Sequence, residues 1–217
     1  MLVSQSIWSV DQSRIAHEVD RFDPYVDSYH VDVMDSWFAD ELLYGPPMVS
    51  TLRGLTQRPI VVHLMIKEPI RYAQRLADAG ADTVVVHASA CSDLSATLRG
   101  LHRSGVASGC AIGLDDRLDP VMRHLDTLST VLVMATPIGV KGQPFDNRAI
   151  GTVRELIRHR PDTAPSILVD GGIRWTSVAK IAAAGADGVV TGSITADSDD
   201  LGAAIRRIAG FAHAAGV

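Results

Sequence analysis

The sequence predicts a (β/α)8 barrel, a TIM barrel, formed as a single domain over residues 1–217. Three observations support this. Short β-rich runs alternate with longer segments whose apolar residues recur at three- and four-residue spacing. Eight such strand runs fit into the chain, the number that closes a parallel barrel. The first run is followed by Ser9-Val10-Asp11 rather than by glycines. That disfavours a doubly wound open sheet, whose first strand leads into a Gly-rich turn. A chain of 217 residues, 47% of them hydrophobic, buries one sizeable core and is short for two ordinary domains.

The first strand is expected at Leu2–Trp8 and the second at Ser28–Met34. Strand side chains alternate, so His30, Asp32 and Met34 share one face of the second strand, and Tyr29, Val31 and Val33 the other. Pro59–Ile66 follows, an apolar run interrupted by His63. The helical pattern Arg71–Ala79 runs into Ala79-Gly80-Ala81-Asp82, a helix stopped by glycine just ahead of the strand Thr83–His87. Helical Leu94–Ser104 leads to strands at Gly109–Leu114 and Thr130–Ala135. Helical Ile150–His159 precedes the strand Ser166–Asp170, whose apolar run ends on Asp170 and meets Gly171-Gly172. Helical Ser177–Ala184 closes with the same phrase, Ala184-Gly185-Ala186-Asp187, before the last strand, Gly188–Thr191. The acidic stretch Asp197–Asp200 reads as a solvated loop or a helix N-terminus, where carboxylates suit the dipole.

A formal charge of -5 argues against a nucleic-acid partner, which calls for a basic patch. No apolar run reaches the length of about 18 residues that spans a bilayer, and the N-terminal run is too short and polar for a signal peptide. Cys91 and Cys110 lack C-x-x-C spacing and read as reduced thiols. A cytoplasmic protein without a membrane partner is therefore expected.

In such barrels the active site lies at the C-terminal ends of the strands. His30, Asp32, His63 and Asp170 all stand late in strands and can reach one barrel mouth. Taken singly, each has a plainer reading as a pocket or turn residue. Together, two imidazoles and two carboxylates suit one divalent metal ion: Zn2+, Fe2+, Mn2+ or Co2+. Met34, Met65 and Met134 fall in the same region, either as core fillers or as an apolar lining that excludes water. Gly171-Gly172, Gly192-Ser193 and the pair Gly139 and Gly142 stand in adjacent loops. Backbone N–H groups there could hold a phosphate. Ordinary turn chemistry is the alternative.

The phrases His30-Val31-Asp32-Val33-Met34-Asp35, His63-Leu64-Met65 and Val169-Asp170-Gly171-Gly172 resemble the ribulose-phosphate 3-epimerase family, which includes allulose-6-phosphate 3-epimerase. Ser6-Ile7, Gly45-Pro46-Pro47, Leu132-Val133-Met134, Gly142-Gln143-Pro144-Phe145 and Gly192-Ser193 extend the resemblance over nearly the whole chain. It implies a barrel of the ribulose-phosphate-binding type and an isomerase that inverts C3 of a phosphorylated ketose. Asp32 would remove the C3 proton from one face and Asp170 return one from the other. A metal on His30, Asp32, His63 and Asp170 would stabilise the cis-enediolate. Ser6, Met34, Met65 and Met134 would line the substrate site, and Gly142, Gly171, Gly172, Gly192 and Ser193 would cradle the phosphate. A homo-oligomer is also implied.

Three departures from the family pattern stand out. Val140-Lys141 replaces a phenylalanine and a glycine, Trp37 replaces a histidine, and Gln5 replaces a proline. They suggest the same reaction on a different sugar phosphate, with Lys141 either contacting phosphate or facing solvent. Two other classes compete: a metal-dependent aldolase or decarboxylase, and a non-catalytic sugar-phosphate-binding barrel. The D-x-K-x-x-D signature of the related decarboxylases is absent at Asp32-Val33-Met34-Asp35. A binder would be expected to lose Asp32 or Asp170.

Overall fold

The computed structural model describes residues 1–161 and 165–211. Among them, nine strands form one sheet: β1 (Leu2–Ser6), β2 (Ser28–Asp35), β3 (Leu42–Leu43), β4 (Ile60–Met65), β5 (Thr83–His87), β6 (Ala107–Ile112), β7 (Thr130–Met134), β8 (Ser166–Asp170) and β9 (Gly188–Thr191). Their order is β1-β9-β8-β7-β6-β5-β4-β2-β3, and a further pairing of β1 with β2 closes the ring. The eight ring strands pair in parallel. β3 is a two-residue antiparallel addition to β2. The result is the expected (β/α)8 barrel.

Helices α1 (Ile15–Phe22), α2 (Pro46–Arg53), α3 (Ala73–Asp78), α4 (Leu94–Arg103), α5 (Asp119–Met122), α6 (Arg148–Arg158), α7 (Trp175–Ala184), α8 (Ser193–Ala196) and α9 (Leu201–Ala209) connect and flank the strands. Each longer helix turns one apolar stripe to the sheet. Val19 and Phe22 of α1, Leu98 and Leu101 of α4, Val153 and Leu156 of α6, and Ile205 and Ile208 of α9 are buried. They meet the outward strand residues Tyr29, Val31, Val33, Ile60, Val62 and Leu64 in one core. Burying each such side chain contributes about 1.5–3 kcal/mol. Asp200 answers the acidic stretch: its carboxylate accepts the N–H of Ala203 and caps α9.

Strands β1 and β6 differ from expectation by two residues, for local reasons, and the other expected strands by one residue at most. β1 stops at Ser6 because Ile7–Ser9 coils into a 3-10 turn. β6 begins at Ala107, two residues early, since Ala107 and Ser108 pair with Thr83 and Val84. It stops at Ile112 because the Asp116 carboxylate takes the N–H of Gly113. The repeated Ala-Gly-Ala-Asp phrases tie strand beginnings together. Asp82 accepts the N–H of Ile60, and Asp187 accepts the N–H of Ile167, each at 2.7 Å. Arg53 and Arg160 donate to the same two carboxylates.

The lumen is filled separately, by Val85, Ala111, Leu132, Leu168 and Val190 beside Met134. Both cysteines are free. No helix among the described residues is long and apolar enough to cross a membrane.

Candidate active site at the carboxyl end of the barrel

Two residues beyond the lumen layer, on the same strand faces, the side chains turn polar. Leu168 gives way to Asp170, and Val85 to His87. The register sets Asp32 beside His63, Ser6 beside His30 and Met134 beside Asp170. Parallel pairing thus converts four separate sequence positions into one polar layer, as expected for His30, Asp32, His63 and Asp170.

One ligand atom from each of these four residues lies within 4.8 Å of the others. His30 Nε2 is 3.2 Å from Asp32 Oδ1 and 3.6 Å from Asp170 Oδ2. His63 Nδ1 is 3.4 Å from Asp32 Oδ1 and 3.7 Å from Asp170 Oδ2. His30, Asp32 and His63 are buried, and Asp170 is half-buried at the cavity floor. Ser6 donates its hydroxyl to Asp32 Oδ2 at 3.0 Å, fixing that carboxylate from the far side.

The two carboxyls are driven in opposite directions. Burial would raise Asp32, but His30 and His63 together hold it well below the usual carboxylate range. Burial raises Asp170, and the neighbouring Asp32 charge adds to this. For His30, burial works against the charged form, but Asp32 and Asp170 outweigh it and raise the imidazole pKa.

The donor set fits a divalent cation. Two carboxylates converge in a buried site where their charges repel, and His63 Nδ1 aims into the cluster with no hydrogen-bond partner among the described residues. A nitrogen left bare in this way is costly unless a ligand takes it.

A cavity of about 340 Å3 opens above this layer. Ser6, Asp32, Met65, Met134, Asp170, Gly142, Gly171, Gly172, Gly192 and Ser193 line it. Met34 does not; it packs with Ala39 and Met65 to one side. Gly172 has φ +63, and a Cβ there would come within 2.5 Å of the Phe145 backbone nitrogen. The two loops carrying glycines, after β7 and after β8, can touch only because that position has no side chain.

The altered loops take unexpected positions. Trp37 is 83% exposed and lies away from the cavity, in a shallow groove with Phe38, Lys67 and Glu68. Asp35 holds that loop, accepting the N–H groups of Trp37, Phe38 and Lys67. Lys141 does line the cavity, but its Nζ donates to the Trp8 carbonyl at 2.6 Å and sits 5.2 Å from the Trp8 ring centroid. It therefore straps the loop after β7 to the loop after β1 while remaining exposed. Gln5 is buried outside the ring. Its Oε1 accepts from Thr191 and Thr195, and its Nε2 donates to the Ser6 carbonyl.

His87, Thr136 and Arg174 were not anticipated. Thr136 and Arg174 line the cavity. His87 is buried, and its Nε2 lies 2.9 Å from His63 Nε2. Burial, followed by the His63 charge, depresses its pKa well below the ordinary value. Its signal was present in the sequence: it ends Val84-Val85-Val86 on the inward face, as Asp170 ends Ile167-Leu168-Val169.

Fold and site define a (β/α)8-barrel enzyme with a His2Asp2 cluster suited to a divalent cation at its catalytic end. The model of the ribulose-phosphate 3 epimerase family matches residues 2–195, and the chain belongs to that family of isomerases. The ribulose-phosphate 3-epimerase of Bacillus subtilis strain 168 is 33% identical over 212 residues, covering 96% of this chain and 98% of that one. That of Mycobacterium tuberculosis H37Rv is 35% identical over 216 residues, covering 97% and 94%. That of Escherichia coli K12 is 32% identical over 204 residues, covering 92% and 90%. Among solved structures, 3-hexulose-6-phosphate synthase from Salmonella typhimurium superposes with a TM-score of 0.70 at 20% identity, over 97% of this chain and 98% of that one. KGPDC from Streptococcus mutans gives 0.70 at 16% identity, over 97% and 96%. At such identities these two show a shared fold and nothing further.

Proposed function

We propose that this chain inverts C3 of a phosphorylated ketose, interconverting ribulose 5-phosphate and xylulose 5-phosphate or a related pair. Asp32 and Asp170 are the two proton-transfer groups. The observation that carries this reading is the pair of carboxyls reaching one cluster from β2 and β8, three strands apart around the ring. Inversion needs a group on each face of a planar intermediate, and two strands on different walls provide that.

The opposite pKa directions suit the division of labour. Asp32, held ionised by His30 and His63, accepts the C3 proton. Asp170, favoured in its protonated form, delivers one to the opposite face. In the reverse direction the roles exchange, so each turnover leaves the pair ready for the other epimer. Ser6 keeps Asp32 aimed through its hydroxyl. His30, Asp32, His63 and Asp170 would hold a divalent cation, which supplies charge stabilisation for the oxygens next to the reacting carbon. Met65 and Met134 give the cavity an apolar wall. The backbone at Gly142, Gly171, Gly172, Gly192 and Ser193 would face the phosphate.

The test is incubation in deuterated water with ribulose 5-phosphate, allulose 6-phosphate and four-carbon ketose phosphates. Deuterium incorporation at C3 with inversion, and without carbon–carbon cleavage, is the expected result. Cleavage would point to a lyase, and tight binding without exchange to a sugar-phosphate binder. The strap from Lys141, which lines the cavity, favours a substrate other than ribulose 5-phosphate. A rate on ribulose 5-phosphate matching that of the Bacillus subtilis relative would remove that preference.

A further inference from the structure

The geometry points to His87 as a positioning residue for the metal site: it takes the Nε2–H of His63 and so leaves the Nδ1 lone pair of His63 facing the cluster. The inference rests on the reading that His30, Asp32, His63 and Asp170 hold a divalent cation.

The argument is a proton count. A neutral imidazole carries one N–H and one bare nitrogen. His63 turns Nδ1 toward Asp32 and Asp170, and among the described residues no hydrogen bond reaches that nitrogen. A cation can be bound there only if Nδ1 is bare, which puts the proton on Nε2. His63 Nε2 lies 2.9 Å from His87 Nε2. Of two nitrogens at that distance, one must donate and the other accept. His87 must therefore be bare at Nε2 and protonated at Nδ1. Both rings are buried, so no bulk water can take over either role.

The surroundings hold His87 in this orientation. Its ring packs 5.0 Å from the His63 ring and 5.1 Å from the Phe38 ring, centroid to centroid. Its carbonyl accepts from Cys91 Sγ at 3.3 Å, pinning the backbone just beyond β5. Among the described residues no donor reaches His87 Nδ1, so no contact there selects the other tautomer. Metal-bound histidines commonly donate their second N–H to a carboxylate or a carbonyl. Here a second histidine takes that place. The two rings thus have two proton arrangements, and cation binding selects one of them.

A filler at this position could be replaced by any apolar group of similar size, whereas an acceptor needs an oxygen or a bare nitrogen. His87→Leu removes the acceptor, and His87→Gln keeps one near the Nε2 position. Zn2+ and Mn2+ affinities of chelator-treated wild type and both variants are measured by competition with a chromogenic chelator, beside the melting temperature of each metal-free protein. Expected is a loss of about 10–100-fold in affinity for His87→Leu, with His87→Gln recovering most of it. His87→Leu binding as tightly as wild type overturns the inference. So does His87→Gln failing as badly as His87→Leu while its metal-free melt is unchanged. Histidine-selective 15N NMR of the Zn2+-loaded wild type decides the matter even if His87→Leu does not fold. A proton on His63 Nε2 and on His87 Nδ1 is expected, and a protonated His87 Nε2 overturns the inference. A wild type that binds neither cation overturns the metal reading and this inference together; binding by the wild type with an indifferent His87→Leu overturns this inference alone.

Discussion

At the scale of single residues, the site separates two carboxyls that are chemically the same. Asp32 receives Ser6 and lies nearer to His30 and His63, while Asp170 lies farther from both imidazoles and beside the Asp32 charge. If each serves one face, removing one should not abolish all proton exchange. Asp170→Asn is expected to slow epimerisation by about 100–10,000-fold yet keep solvent exchange into the epimer whose C3 hydrogen faces Asp32. Asp32→Asn should show the reverse preference. NMR-monitored deuterium exchange from each epimer, with metal content measured in parallel, tests this. Equal loss from both epimers in both variants would contradict a one-face, one-carboxyl arrangement. The four cluster residues were legible in sequence because each is a polar group ending or interrupting an apolar strand. His87 carries the same mark, but alternation alone does not say which histidine faces the cluster and which stands behind it. The contact of Lys141 with the Trp8 carbonyl was not legible at all, since it joins positions 133 residues apart.

At the scale of elements, rigid strands aim the acid/base groups, and the loops above them meet at glycine. Gly172 sits at φ +63 against the backbone of Phe145. A side chain there pays the left-handed penalty of about 1–2 kcal/mol, and it must also push the loop after β7 away. Gly172→Ala is therefore expected to destabilise the protein by about 2 kcal/mol or more. It should raise KM for the phosphorylated ketose more than it lowers kcat, because Asp32 and Asp170 stay on their strands. Thermal melts and steady-state kinetics check both halves; an unchanged KM would separate this loop contact from phosphate binding. The strands were readable because buried β-branched runs leave a dense local signal. β3, with two residues and an antiparallel partner, leaves none, and the early start of β6 at Ala107-Ser108 lacks large apolar residues. The glycine pairs announced flexible turns, but only the folded loops reveal that Gly172 is needed for close approach.

At the scale of the whole molecule, the barrel closes around a cluster whose charge state depends on pH, so stability and cation binding are linked. His30 has a raised pKa in the folded protein. Its pairing with the carboxylates therefore stabilises fully below the unfolded value of about 6.5, and this is lost as the pH rises through the folded value. Asp170, a carboxyl with a raised pKa, also becomes unfavourable once it ionises. Asp32, held low, contributes above the unfolded value of about 3.9 and loses that contribution only as the pH falls through its depressed folded value. Raising the pH from the unfolded His30 value of about 6.5 upward through its raised folded value thus weakens the metal-free cluster, since His30 gives up its proton beside Asp32 and Asp170. A cation needs a bare His30 nitrogen and one unprotonated oxygen from each carboxyl, and protons compete with it at the low end. The melting-temperature gain from added Zn2+ or Mn2+ is expected to grow with pH across this window and level off once His30 is neutral. At a free concentration of 100 times Kd the stabilisation is about 2.7 kcal/mol, or roughly 5–10 °C for a chain of this size. Melts of chelator-treated and reconstituted protein at several pH values measure it. A gain that shrinks as the pH rises would show that the cation binds somewhere other than the His30–Asp32–His63–Asp170 cluster.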